Sequence, residues 1–288
     1  MLDNFIYEDH RGRRFVGLEN GVYLNYNDMR DYSWNYETIN GRISRFYRPI
    51  KDRKLPLVVY CATEEAAIEV KNRLLDIAET DIEAKRPGKV YIGEYYTTGY
   101  ITGSEKSNYL INKRLCCINL TLTSDDPAWY REQVYPFIND GNEQPGAGNG
   151  NDGNEQPGTG NGVDYPYAYP YDYALNLKGR NIVCDAAESG AFKLLIYGAC
   201  ENPVVLIGKN AYAINGMIAA GETLLIDSIS KTITLTKANG QTENWFDNRG
   251  RDSYIFEPIP SGMNAVGWLG TFKFDLTVIE KRSEPRWT

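Results

Sequence analysis

The sequence predicts a mainly β protein of two domains: an N-terminal antiparallel β-sandwich or barrel-like domain carrying one α-helix, then a C-terminal β-sandwich. Three observations predict it. Short strand-like runs punctuated by turn residues recur in both halves of the chain, only one segment has helical apolar periodicity, and a Gly/Asn-rich repeat with nothing to bury separates the halves. At 288 residues the chain is long enough for two cores. The expected division is residues 1–138, a linker or loop at 139–164, and residues 165–288.

The first domain opens with strand-like pieces at residues 13–18 and 22–26 around Glu19-Asn20-Gly21, and Asn-Gly between such runs signals a hairpin. One helix follows. Thr63 suits its N-cap, Glu64 and Glu65 suit the positive end of its dipole, and Ala67, Val70, Leu74 and Ile77 with Ile68, Leu75, Ala78 and Ile82 make a broad apolar stripe. Pro87-Gly88 must end it. Strands resume at residues 89–94, 95–102 and 115–123, the last with Cys116, Ile118, Leu120 and Leu122 on one face.

Residues 139–150 and 151–162 are a tandem duplication of NDGNEQPGxGNG that differs only at Ala147 against Thr159. With no apolar side chain larger than alanine, this segment cannot offset the entropy of ordering, and the expectation is a mobile, solvated loop. Its Asn, Asp and Glu side chains lack the spacing of a calcium loop. Next come Tyr165, Pro166, Tyr167, Ala168, Tyr169, Pro170, Tyr171, Asp172 and Tyr173, where the prolines forbid a helix. Tyr167, Tyr169 and Tyr171 are candidates to stack on a saccharide or partner, or to pack along the second domain.

In the C-terminal part, strand-like runs at residues 192–197, 204–207, 211–214, 223–226, 232–236, 253–256 and 271–278 follow a sandwich rhythm. Turn signals lie at Gly221-Glu222, Asn239-Gly240 and residues 259–262.

Charge narrows the function classes. The net charge of −7 falls almost wholly in residues 139–175, which hold no Lys or Arg, so neither flank has a nucleic-acid binder's basic footprint. No apolar run reaches membrane-spanning length, and the N-terminus lacks the pattern of a Sec signal. The five cysteines form no CxxC pair and read as free, buried thiols. A single His10, beside Asp9 and Arg11, leaves a Ser/His/Asp triad one candidate base. No GxSxG, GxxxxGK[ST], HExxH or helix-opening GxGxxG occurs. No cofactor or metal site is expected. Asp125 and Asp126 near Trp129, or Glu284 near Trp287, are the carboxylates beside tryptophans that could belong to a glycosidase. Trp245 and Trp268 are the tryptophans a carbohydrate-binding module could use, the bland reading of Trp268 being core.

The last hundred residues carry a more specific pattern. Tyr197-Gly198 precedes Asn202-Pro203 and a strand; Gly221-Glu222 precedes Leu225-Ile226-Asp227; then come Gly240, Asn244-Trp245-Phe246, and the run from Phe256 through Pro258, Pro260 and Gly262 to Asn264. The chain closes with Gly270, Phe272, Phe274 and Arg282-Ser283-Glu284-Pro285-Arg286-Trp287. This resembles the distal tail proteins of long-tailed, siphovirus-type phages and prophages of Gram-positive bacteria. The first domain, with Gly99-Tyr100-Ile101 and Asp126-Pro127-Ala128-Trp129-Tyr130, is similar in kind; the duplicated loop departs from the family.

The resemblance implies a structural role for Gly198, Pro203, Asp227, Phe246, Phe256, Pro260, Gly262, Arg282, Glu284, Pro285 and Trp287. It implies a six-fold ring whose N-terminal domains form a belt around the tail channel and whose galectin-like C-terminal β-sandwiches project outward. Such a ring joins the tail tube to a tip or lysin-carrying protein, holds receptor-binding proteins in some phages, and lets DNA pass unread. The expected location is the virion tail tip, assembled in the host cytoplasm, with no enzymatic activity. The alternative is an adhesin whose C-terminal sandwich binds cell-wall saccharide, with Trp245, Tyr167, Tyr169 and Tyr171 as candidate contacts.

Overall fold

The computed structural model describes residues 4–107, 113–138 and 178–287; the tandem repeat and the tyrosines Tyr167, Tyr169 and Tyr171 lie outside the described residues. Two compact units divide the chain: Met1–Arg131 with Lys281–Thr288, and Glu132–Glu280. The closing residues thus belong with the first unit.

The first unit contains β1 (Ile6–Glu8), β2 (Arg14–Val16), β3 (Val22–Leu24), β4 (Asn35–Ile39), β5 (Arg42–Tyr47), β6 (Lys51–Tyr60), α1 (Glu64–Ala84), β7 (Gly88–Ile92), β8 (Tyr95–Ser107), β9 (Leu115–Ser124) and the start of β10 (Trp129–Phe137). One antiparallel sheet runs β2, β1, β7, β8, β10 and a second runs β3, β6, β9, β8. The register of β8 against β9 slips between Ile101 and Gly103, and this break lets one long strand serve both sheets.

Helix α1 begins where the Thr63 hydroxyl accepts the Ala66 N–H, and ends at Lys85, which turns left-handed at φ +54 and ties its N–H back to Asp81 and Ile82. It buries Ala67, Val70, Leu74, Ile77 and Ala78, a narrower stripe than expected: Ile68 and Ile82 are 45% and 43% exposed. The apolar faces of β6 and β9 supply Leu55, Leu57, Val59, Cys116, Ile118, Leu120 and Leu122 to the same core, with Phe5, Phe15 and Trp129.

The hairpin expected at residues 13–26 does not form. Strand β2 pairs with β1 and β3 pairs with β6, because Asn20-Gly21 closes a 3₁₀ turn, Leu18–Asn20, instead of a two-residue loop. Asn20 bonds the Val16 carbonyl, and Gly21 returns its N–H to Leu18.

The second unit contains the rest of β10, then β11 (Lys178–Tyr197), β12 (Cys200–Glu201), β13 (Val204–Ile207), β14 (Asn210–Ala213), β15 (Met217–Ile218), β16 (Thr223–Asp227), β17 (Thr232–Thr236), β18 (Thr242–Asn244), β19 (Ile259–Trp268) and most of β20 (Lys273–Arg282). Its two antiparallel sheets are β20, β11, β16, β17, β18 and β14, β13, β19, β11. Strand β11 pairs with β19 up to Gly190 and with β20 and β16 beyond it, with a register shift between Cys184 and Ser189. Between the sheets Phe137 stacks on Phe274 at 4.4 Å, and Trp268 meets both rings edge-on at 5.2 and 5.4 Å. Trp268 is therefore core, with its indole N–H on the Phe272 carbonyl.

Two boundaries differ from expectation here. Residues 253–256 make a turn rather than a strand, closed by Glu257 N–H on the Tyr254 carbonyl, although Ile255 and Phe256 are still buried. Residues 259–262, read as a turn, begin β19, where Pro260 and Gly262 fall at the register shift that excuses a missing N–H. None of the five cysteines is in a disulfide, and Cys117 and Cys200 are only half-buried rather than buried.

Candidate assembly surface

Strands β4 and β5 pair only with each other among the described residues. Asn40 and Gly41 both have positive φ, +52 and +74, the left-handed geometry of a tight hairpin loop that asparagine and glycine tolerate. Tyr36 lies opposite Phe46, Glu37 opposite Arg45 and Ile39 opposite Arg42. Every residue of both strands is exposed: Tyr36 60%, Ile39 65%, Ile43 53% and Phe46 58%. A two-stranded ribbon is marginal in water by itself, and four large apolar side chains on its faces have no cover within the unit. The two strands form an exposed arm.

The root of the arm is fastened by the end of the chain. Arg48 lies over the Trp34 ring at 4.1 Å. The Trp34 indole N–H and an Arg48 Nη2–H both donate to the Ser283 hydroxyl oxygen, at 3.2 and 3.3 Å. Arg30 donates to the Pro285 carbonyl and stacks on Trp287 at 4.3 Å. Pro285 is buried, Arg282 and Glu284 are half-buried, and Lys281 meets Asp126 at 2.7 Å. Burial alone would push the Asp126 carboxyl up, but hydrogen bonds from Lys281 and Tyr130 and the charges of Lys281 and Arg48 hold it below the usual carboxylate range. A carboxylate kept charged in this way is the opposite of a glycosidase's general acid, and neighbouring Trp129 is fully buried. The terminal motif is thus a strap across the arm's root.

In the second unit the singled-out residues serve turns and packing. A Cβ on Gly198 would lie 1.9 Å from the Ala219 carbonyl oxygen, so no side chain fits there. Pro203 is buried and accepts the Ile214 N–H. Asp227 accepts the N–H groups of Ile229 and Ser230, closing the turn into β17. Asn264 donates to the carbonyls of Pro260 and Gly262. Trp245 is half-buried against the core with Gly216 pressed on its ring, and Phe246 stacks on Phe256 under Arg249 at 4.0 Å.

His10 does not meet Asp9. Its Nδ1 lies 2.6 Å from Asp81, which also accepts the Tyr7 hydroxyl, while Asp9 is held by Arg13. No hydroxyl or thiol is bonded to the His10 ring among the described residues, so the arrangement is not a nucleophilic triad. Sequence reasoning missed the arm, although Asn40-Gly41 is the same signal that was read at Asn20-Gly21.

No family model and no curated protein matches this chain. Solved structures do. The chain is similar to the SPP1 Dit (gp 19.1) protein, described as a paradigm of the hub adsorption apparatus in Gram-positive infecting phages, at 10% identity over 96% of this chain and 98% of that one, with a TM-score of 0.53. It is similar to chains of the phage P2 baseplate in its activated conformation: 12% identity and TM-score 0.60 with Ca, 13% and 0.61 with Sr, each covering 99% of this chain and all of the other. These likenesses establish the fold, which is that of phage tail hub and baseplate proteins.

Proposed function

We propose that this protein is a structural distal tail hub that closes into a six-membered ring at a phage tail tip. The arm β4–β5 carries the proposal: an ordered ribbon with both faces exposed and Tyr36, Ile39, Ile43 and Phe46 uncovered fits a surface waiting for the next copy. One such patch meeting a different patch on the neighbour is a head-to-tail contact, and rotation closes it into a ring. In this reading the belt is the first unit, residues 1–131 with the returning strap 281–288, and the second unit supplies the outward β-sandwich. The ring's neighbours are the tail tube on one side and the tip or lysin-carrying protein on the other, with a receptor-binding protein as a further partner and DNA passing unread through the channel. The role is assembly, not catalysis.

The test is the solution mass of the purified chain, with negative-stain imaging, for the wild type and for Tyr36→Ser/Phe46→Ser. Rings in the first and monomers with an unchanged thermal midpoint in the second support the reading.

A further inference from the structure

Arg53 occupies a core position. Strand β6 alternates so that Arg53, Leu55, Leu57 and Val59 all point inward, and Arg53 is fully buried. One of its nitrogens, Nη2, donates to the Pro127 carbonyl at 2.8 Å; Nε and Nη1 have no partner among the described residues. The Nε of Arg48 is buried and unpartnered as well. Burial lowers the Arg53 guanidinium to about 10, so it is still charged at neutral pH. The Trp129 ring, 5.8 Å from the guanidinium carbon, and the Pro127 carbonyl compensate this charge only in part, and an incompletely paired buried charge costs several kcal/mol.

Both arginines line one small cavity of about 10 Å³, together with Tyr32, Ser33, Pro49, Lys51 and Pro127. Three of the lining side chains are cationic and none is acidic. Asp28 and Asp31 attract Arg53 from a distance, but neither comes within ion-pair range of it among the described residues. Lys51 directs its ammonium to the Asp31 carbonyl at 2.7 Å. Space for one small sphere excludes phosphate and carboxylate groups, and a water would bridge the N–H groups without answering the charge.

We propose that a monoatomic anion, chloride under ordinary conditions, binds between Arg53 and Arg48 at the root of the arm. It accepts one unpartnered N–H from each guanidinium. Because Arg48 is the residue stacked under Trp34, the anion fastens the arm's root from the core side as Ser283 does from the outside. The site stands whether or not the chain forms a ring.

The experiment uses full-length protein. Crystals grown in bromide should give one anomalous peak between Arg53 and Arg48, and in chloride–gluconate series at fixed ionic strength the thermal midpoint should rise by about 3 °C per tenfold chloride above saturation. Arg53→Met should lose both. Absence of the peak, equal midpoints in chloride and gluconate, or a bromide peak that persists in Arg53→Met, which marks an adventitious ion only, each overturns the proposal. Should Arg53→Met not fold, the wild-type peak and halide series decide it.

Discussion

The Trp34 indole and the Ser283 hydroxyl, 249 residues apart in the chain, meet at 3.2 Å at the root of the arm. The contact ties the segment that follows β20 to the residue just before β4, within the first unit. Ser283 accepts from Arg48 at the same oxygen, so one hydroxyl holds both strands' approach.

Ser283→Ala removes the acceptor of two donors and should cost about 1 kcal/mol in global stability, a modest value because the pair is only partly buried. Hydrogen exchange gives the sharper reading. Amides of β4 and β5 should exchange faster in the variant while those of β11 are unchanged.

Asp126 makes stability depend on pH. Its folded carboxyl lies below the ordinary value of 3.8, so its contribution is complete above that value and is lost as pH falls through the folded one. Asp9 behaves alike: burial raises its carboxyl, and the Arg13 side chain with the Arg13 and Arg11 N–H groups more than reverses this. Asp126→Asn should lower stability at neutral pH and flatten the loss between about pH 5 and 2, measured by denaturant titration at each pH.

Phe274→Ala should destabilise the second unit by about 3 to 5 kcal/mol, since the ring is fully buried, stacked on Phe137 and met edge-on by Trp268. Trp268 fluorescence during denaturation would follow that unit. Phe246→Ala, half-exposed under Arg249, should cost far less.

Excising residues 139–162 should leave folding and assembly intact, because the segment offers no apolar side chain larger than alanine to a core and closure entropy changes only slowly with the length of a connection. Size-exclusion elution and thermal midpoint of the shortened chain check it.

Local signals were legible in the sequence and long-range partners were not. Thr63, the apolar stripe from Ala67 to Ala78, and Pro87 placed α1, because capping and periodicity act within a few residues. Alternation placed β9 with Cys116, Ile118, Leu120 and Leu122 inward for the same reason. Asn20-Gly21 and Asn40-Gly41 carry one dipeptide with two outcomes. At the first, Asn20 finds the Val16 carbonyl and a 3₁₀ turn forms; at the second both residues turn left-handed and close the arm. Nothing in the dipeptide decides between them. Arg53 within the strand 51–60, and the meeting of Arg-Ser-Glu-Pro-Arg-Trp with Trp34, Arg48 and Arg30, depend on partners tens to hundreds of residues away. The terminal motif was visible through family resemblance; its work as a strap was not.

The most direct test of the arm as the ring-closing surface is the solution mass of wild type against Tyr36→Ser/Phe46→Ser, with images of each. The account predicts six-membered rings with a central hole for the wild type, and monomers of unchanged thermal midpoint for the double variant. Rings that still close in the double variant, or a wild type that stays monomeric even with its tail-tube neighbour present, would contradict it.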